Sequence, residues 1–446
     1  MRRSPPLASA IFIFVSLGAA SCSGGGSGDD NGAPTTDVGV VDDSNVTSET
    51  GDDAPPIALD SAAGSTDSGA DVSAPTETST PPTDSTTPPT DTKPPPPPVD
   101  SGPATGKAAA LATKLRGKHN FLIGLGTDDD QGFKQSIPID IHYQYLVGDW
   151  PTWNTDAAGQ GAFVTLFANN ADAHGATPMF TLYQMADNGD GNISVTKDDT
   201  FMTSYWSRVK LMFQRLKTFG KPVIVQIEPD FWGYAFNGTP HDGSGVVKVS
   251  AHVSECAGLP DTFAGMSKCI LKLRDAYAPK AVVGLHLTNW GFTVADLMSF
   301  YKAVGASDMD FVTHDVLDRD AGCFEVHTQA DCMRSGSGWY WDESNTKSPN
   351  FHEHLALVKQ YTTALGVPLL WWQMPLGVPS GSPGSTDHYR DNRVHYLFAH
   401  LDEFVAAGGV GAVFGVGAKG QTTLLTDGGQ FKTAATAYFA HPVSLP

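Results

Sequence analysis

Downstream of residue 105 the chain alternates between short apolar runs and amphipathic stretches of helical period. Eight runs read as strands: 121–126, 138–145, 178–184, 222–228, 281–288, 310–315, 367–373 and 410–415. Between most of them lie patterns of 3.6-residue period, at 161–174, 201–219, 262–277, 294–304, 352–365 and 390–407. Gly220-Lys221-Pro222 and Leu365-Gly366-Val367-Pro368 mark a helix stop followed by a strand start. The connection between the first two strands is short and carries no clear helix, which departs from a regular alternation. A further helix over 107–115 is expected to brace the bottom of the fold. Eight strands in β-α order predict an α/β fold, a (β/α)8 TIM barrel, spanning 106–446. An open doubly wound sheet is the competing arrangement. It would need a glycine-rich phosphate turn after an early strand, but Gly124-Leu125-Gly126 runs into Thr127 and three aspartates, which repel phosphate.

The first 105 residues read differently. Arg2-Arg3 precede an apolar run over 7–17, too short for a membrane span, which ends at Ala19-Ala20-Ser21-Cys22. Residues 1–22 therefore read as an export signal. Small residues before Cys22 resemble a bacterial lipobox, with Cys22 the lipidated new N-terminus; the alternative is an ordinary signal cut near Ala20 or Ser21. Ser23, rather than Asp, predicts an anchor in the outer membrane or at the cell surface. Residues 23–105 hold 14 of the 31 prolines, repeated Thr-Asp-Ser and few apolar side chains. Such a segment cannot offset its chain entropy, and it reads as a disordered stalk.

Charge follows the same division. The net charge is −20, from 28 basic and 48 acidic residues. Residues 23–105 contribute −14, so the excess acidity belongs mostly to the stalk. The balance argues against nucleic acid, and against membrane contact other than through a lipid anchor. Cys256 and Cys269, and Cys323 and Cys332, are spaced for two local disulfides among three possible connectivities, and neither spacing suits zinc. In an exported chain a catalytic thiol is disfavoured.

Side chains alternate along a strand, so parity separates the barrel interior from its helix-facing exterior. Ile224, Gln226 and Glu228 share one face of the fourth strand. Asp140, His142 and Gln144 oppose Ile137, Ile139 and Ile141 on the second. His286 pairs with Thr288, and Thr313 with Asp315, while the seventh strand ends at Gln373. A structural barrel interior is layered Val, Ile and Leu. Polar residues near the C-terminal strand ends, with Tyr143, Tyr183 and His314 beside them, point to a ligand site at that mouth.

Glu228 closes the fourth strand before Pro229, which holds it extended at the rim. Trp232 nearby would lower the local dielectric and raise its pKa, as suits a general acid. Asp315, at the end of the sixth strand, is the best-placed second carboxylate, with Asp230 and Asp318 as contenders. Two carboxylates across a cleft are the working parts of glycoside hydrolysis. Trp150, Trp153, Trp232, Trp290, Trp339, Trp341, Trp371 and Trp372 fall at strand ends or in the loops after them. There a flat apolar face stacks a sugar ring while Asn154, Asn289 or Gln373 binds hydroxyls. One of Trp371 and Trp372, which point opposite ways, is expected in the core. The segment 187–194 resembles a calcium loop, but Ala186 and Lys197 would occupy its first and last ligand positions, so a turn is the better reading.

Strands, rim acids and tryptophans together resemble the (β/α)8 glycoside hydrolases found among exported bacterial lipoproteins. The resemblance covers roughly 106–440 and implies a monomeric enzyme that cleaves a polysaccharide without a cofactor or metal. It departs from the large clan with glutamates ending strands four and seven, because the latter place reads Trp371-Trp372-Gln373-Met374. It also lacks the aspartate ladder of chitinase-like barrels, since Ile224 and Gln226 stand there. No family's residue roles carry over. The alternatives are a non-catalytic glycan-binding lipoprotein and a metal-assisted hydrolase using His142, His286, His314 and Asp315.

Overall fold

A computed structural model describes residues 106–128, 130–316, 320–327, 332, 340–379, 384–385, 388–416 and 420–446. The export signal with Cys22, the stalk over 23–105, Asp318 and Trp339 lie outside the described residues. Eight parallel strands close a barrel. They are β1 (Leu122–Gly126), β2 (Ile141–Leu146), β3 (Thr177–Leu182), β4 (Val223–Ile227), β5 (Ala281–His286), β6 (Phe311–His314), β7 (Leu369–Met374) and, after the two-residue strands β8 (Gly384–Ser385) and β9 (His388–Tyr389), β10 (Gly409–Phe414). The order around the barrel is β1-β10-β7-β6-β5-β4-β3-β2, so the (β/α)8 expectation holds.

The helices lie where the periodicity placed them, with local chemistry setting their ends. Asp198 caps the helix Asp199–Phe219 by accepting from Phe201 N at 2.7 Å, and Gly220 ends it at φ +71°. Asn350 caps Phe351–Leu365 through Glu353 N at 2.9 Å. Each side chain satisfies an amide that the first helical turn leaves open. The pattern over 390–407 divides into Arg393–Ala399 and Leu401–Ala406. Between β1 and β2 there is a single turn, Gln131–Lys134, whose Phe133 ring meets His142 at 4.5 Å and stacks on His174 at 4.2 Å. That ring covers the stretch of wall that a full helix covers elsewhere.

The helix Lys107–Arg116 braces the bottom. Arg116 reaches Asp140 at 3.3 Å, and Thr177 donates to Leu115 O at 3.2 Å. The two ends of the domain meet there, with Gly106 N donating to Pro446 O at 3.1 Å. Both local disulfides form: Cys256–Cys269 and Cys323–Cys332, at Cα separations of 5.4 and 5.3 Å. No helix among the described residues is long and apolar enough to cross a membrane.

Candidate active site

The inner row of side chains begins with a polar layer. Gln226 on β4 accepts from Thr181 Oγ1 of β3 at 2.7 Å and donates to Thr313 Oγ1 of β6 at 2.8 Å. His286 Nδ1 of β5 lies 3.1 Å from the same Thr313 hydroxyl. Four strands are thus tied across the lumen by fully buried polar groups that satisfy one another.

β2 and β7 complete the ring with aromatics. Trp372 meets Tyr143, Tyr145 and His286 at 6.4, 5.8 and 5.3 Å, all edge-on. The Tyr143 ring lies over Gly126 of the adjacent strand, where a Cβ would stand 2.2 Å from it. Glycine is therefore required at that position. Near its end β7 carries a bulge: Trp371 pairs with Ala412 and Met374 with Phe414, so two residues of β7 oppose one of β10. Gln373 within it has φ +52°. The extra residue turns Gln373 toward the same side as Trp372, and its amide bonds the Tyr145 hydroxyl. Trp371 points the other way, donating to His354 Nε2 at 2.8 Å.

Asp315 follows the inner-row Thr313 at the top of β6. It is 8% exposed, and its Oδ1 has no hydrogen-bond partner among the described residues. Asp230 stands on the β4 side, where Tyr183 donates toward its Oδ2 at 2.8 Å and toward Asp190 Oδ1 at 2.6 Å. Burial and the two carboxylates push the Tyr183 hydroxyl far above its ordinary pKa, so it stays protonated as a donor.

Glu228 is placed differently from the rim position expected of it. Its φ is +48°, a left-handed conformation that breaks the alternation of β4. Its carboxyl is 0% exposed and accepts from Gln184 N at 2.9 Å and Met185 N at 3.0 Å. Tyr205 of the helix Asp199–Phe219 stands beside it. Burial raises its pKa to about 8 against the pull of the two amides. The group ties the segment after β3 to the end of β4 and has no opening to water. Trp232 is also fully buried, with its indole N–H on Ile227 O at 3.0 Å.

Other expected residues lie away from the mouth. Asp140 precedes β2 at the barrel bottom, with Arg116 and the Ile123 amide. His142 faces the helices, 3.0 Å from Asp128 and stacked on Phe167 at 4.8 Å. The polar face of β2 is thus the outer one, because Tyr143 and Tyr145 fill the lumen. His314 also faces outward: its Nδ1 donates to Leu287 O at 2.6 Å, its ring stacks on His354, and burial lowers its pKa. His142, His286 and His314 therefore do not converge, and no group of three potential metal ligands occurs among the described residues. Trp150 is buried, and Trp153 packs edge-on against Phe163 at 5.1 Å. Asn289 holds its own turn, accepting from Gly291 N and Phe292 N. Trp290 remains on the rim, open to solvent.

Three features escape the sequence reading: Tyr145, Asp190 and a buried ion pair. Tyr145 shares parity with Tyr143 and is found once that face is taken as inner. Asp391 and Arg393 pair at 2.6 Å with both side chains fully buried, close to Asp320. Burial raises Asp320 to about 7 and Asp391 to about 6.

A closed parallel barrel with a polar and aromatic mouth defines the class. No family model matches the sequence, and no curated protein does. Solved barrels do align. The D-psicose 3-epimerase of Clostridium cellulolyticum H10 covers 72% of this chain and 97% of its own, at 10% identity and TM-score 0.38. The Bacillus subtilis mannanase BCman covers 74% and 88%, at 13% and 0.38. The Podospora anserina GH26-CBM35 β-(1,4)-mannanase covers 75% and 67%, at 14% and 0.37. These scores are low, and the fold stands on the closed strand order itself.

Proposed function

We propose that this protein is an exported glycoside hydrolase that cleaves a polysaccharide at the mouth of its barrel. The observation that carries the reading is Asp315, a largely buried carboxylate just past the end of β6, one oxygen of which has no hydrogen-bond partner among the described residues. Such a group destabilises the fold unless it has work to do. Asp230, held by Tyr183, is the second carboxylate of the proposal, with Asp318 as a third contender.

In the proposed reaction one acid gives its proton to the glycosidic oxygen as the anomeric C–O bond breaks. The other carboxylate takes a proton from the water that supplies the new hydroxyl, or first bonds the anomeric carbon itself. Half-buried Tyr145 supplies a flat apolar face, with Trp372, Gln373 and His286 buried around it as its support. Glu228 is a positioning residue here: it fixes the backbone at Gln184, next to Tyr183. Residues 1–22 deliver the chain for export, and lipidated Cys22 holds it at the outer membrane.

The test is Asp315→Asn assayed for reducing ends on a polysaccharide panel. Release should fall at least about 100-fold, the scale of lost acid-base catalysis, with melting within a few degrees of wild type. Unchanged release removes Asp315 from the chemistry. A second reading, glycan binding without cleavage, draws on two strand ends: β4 closes on a shielded Glu228 and β7 on Gln373, not an acid. Retention in affinity gels with no new reducing ends from the wild type selects it.

A further inference from the structure

The rim above β3, β4 and β5 carries side chains that the carboxylate chemistry does not use. Trp290 is 38% exposed, the one aromatic among the large apolar side chains left open to solvent in the described residues. It is nevertheless held in place. Tyr234 meets it at 4.7 Å, with the rings inclined at 67°. Behind it, a Cβ on Gly233 would stand 2.9 Å from the indole and 2.7 Å from Thr288 Cγ2. A Cβ on Gly191 would stand 2.9 Å from the Tyr234 ring. Two glycines thus let an indole and a phenol seat directly on backbone, which holds the open indole face in place before any ligand arrives.

The polar edge of this platform is rich in acceptors. Asp190 and Asp230 lie close enough to Tyr234 to raise the pKa of its hydroxyl, in addition to the effect of burial. Tyr183 links the same two carboxylates. Tyr183 is the one hydrogen-bond partner of Asp190 among the described residues, so the rest of that exposed carboxylate faces solvent.

We propose that this wall is a distal subsite that stacks an uncharged sugar unit on the open face of Trp290 and accepts hydrogen bonds from its hydroxyls on Asp190. The protein then binds a run of several neutral sugars and not a single unit. The inference rests on the carbohydrate reading of the mouth and extends it to a substrate class. The C–H face of a sugar ring matches the indole, and its hydroxyls are donors for an acceptor-rich edge. A uronate or sulfate would meet two carboxylates of its own sign. A platform already ordered loses little freedom on binding, so its contact registers in affinity.

The experiment uses the full chain and four probes: β-mannan, xylan, mixed-linkage β-glucan and polygalacturonate. The hexasaccharide and disaccharide of whichever neutral backbone is retained are then titrated calorimetrically. Trp290→Ala should weaken the hexasaccharide about tenfold, the scale of one aromatic contact, and the disaccharide less than twofold. Its melting transition should be unchanged, and Trp290→Phe should restore part of the affinity. Equal hexasaccharide affinity in Trp290→Ala and wild type overturns the subsite and leaves the carbohydrate reading standing. Preference for polygalacturonate also overturns it. Retention of no neutral polysaccharide by the wild type overturns both.

Discussion

Glu228 shows how one backbone angle reassigns a side chain. Strand alternation aims it at the lumen, beside Gln226, but its positive φ sets the carboxyl on two amides and beside Tyr205 instead. A left-handed conformation costs a residue with a side chain about 1–2 kcal/mol, and the two hydrogen bonds offset it. The shifted pKa has a consequence for stability. Folding raises this carboxyl from its ordinary 4.5 to about 8, so the folded state holds a proton that the unfolded chain has released. The resulting stabilisation is complete below about pH 4.5 and is lost as pH rises through 8. Glu228→Gln keeps an acceptor there but cannot ionise. Its melting temperature should fall by less than that of the wild type between pH 5 and 9. Parallel profiles in a calorimetric scan would show that the carboxyl does not titrate in this window. Asp320 and Asp391 act in the same direction in both proteins and cancel from the comparison.

Among elements, β7 illustrates the same economy of means. Its bulge brings Trp372 and Gln373 to the mouth together, while Trp371 stays locked to His354 outside the wall. One inserted residue turns a further polar side chain toward the lumen without a new loop. A different constraint acts after β4, where the connection is long. Cys256–Cys269 fastens that segment to the helix Phe263–Tyr277 across 13 positions. Closing a loop of that size removes chain entropy from the unfolded state, roughly 3 kcal/mol. The double variant Cys256→Ser, Cys269→Ser should therefore melt several degrees lower. Reductant should lower the wild type toward the variant and leave the variant less affected.

For the molecule as a whole, the proposal separates the chemistry of the barrel from the attachment of the chain. The barrel closes on itself at Gly106 and Pro446. Attachment is proposed to reside in Cys22 alone. Cys22→Ala should move the protein from the detergent phase to the aqueous phase on cloud-point partition, with its melting temperature unchanged. Partition of the variant into detergent would locate the attachment elsewhere.

The amino-acid sequence by itself determined the β-α alternation and the closed eight-strand class, and marked the local disulfide pairs as the favoured ones. These follow from periodicity and spacing, which are properties of neighbours along the chain. Tertiary structure decided the rest. Which face of β2 is inner depends on Tyr143 and Tyr145 filling a lumen that the glycines of β1 leave open, so Asp140 and His142 were read to the wrong side. The fate of Glu228 depends on amides of the segment after β3, 43 and 44 residues earlier. Side-chain alternation is a local rule, and it gives way where a positive φ or a bulge is stabilised by partners that only the closed barrel brings within reach.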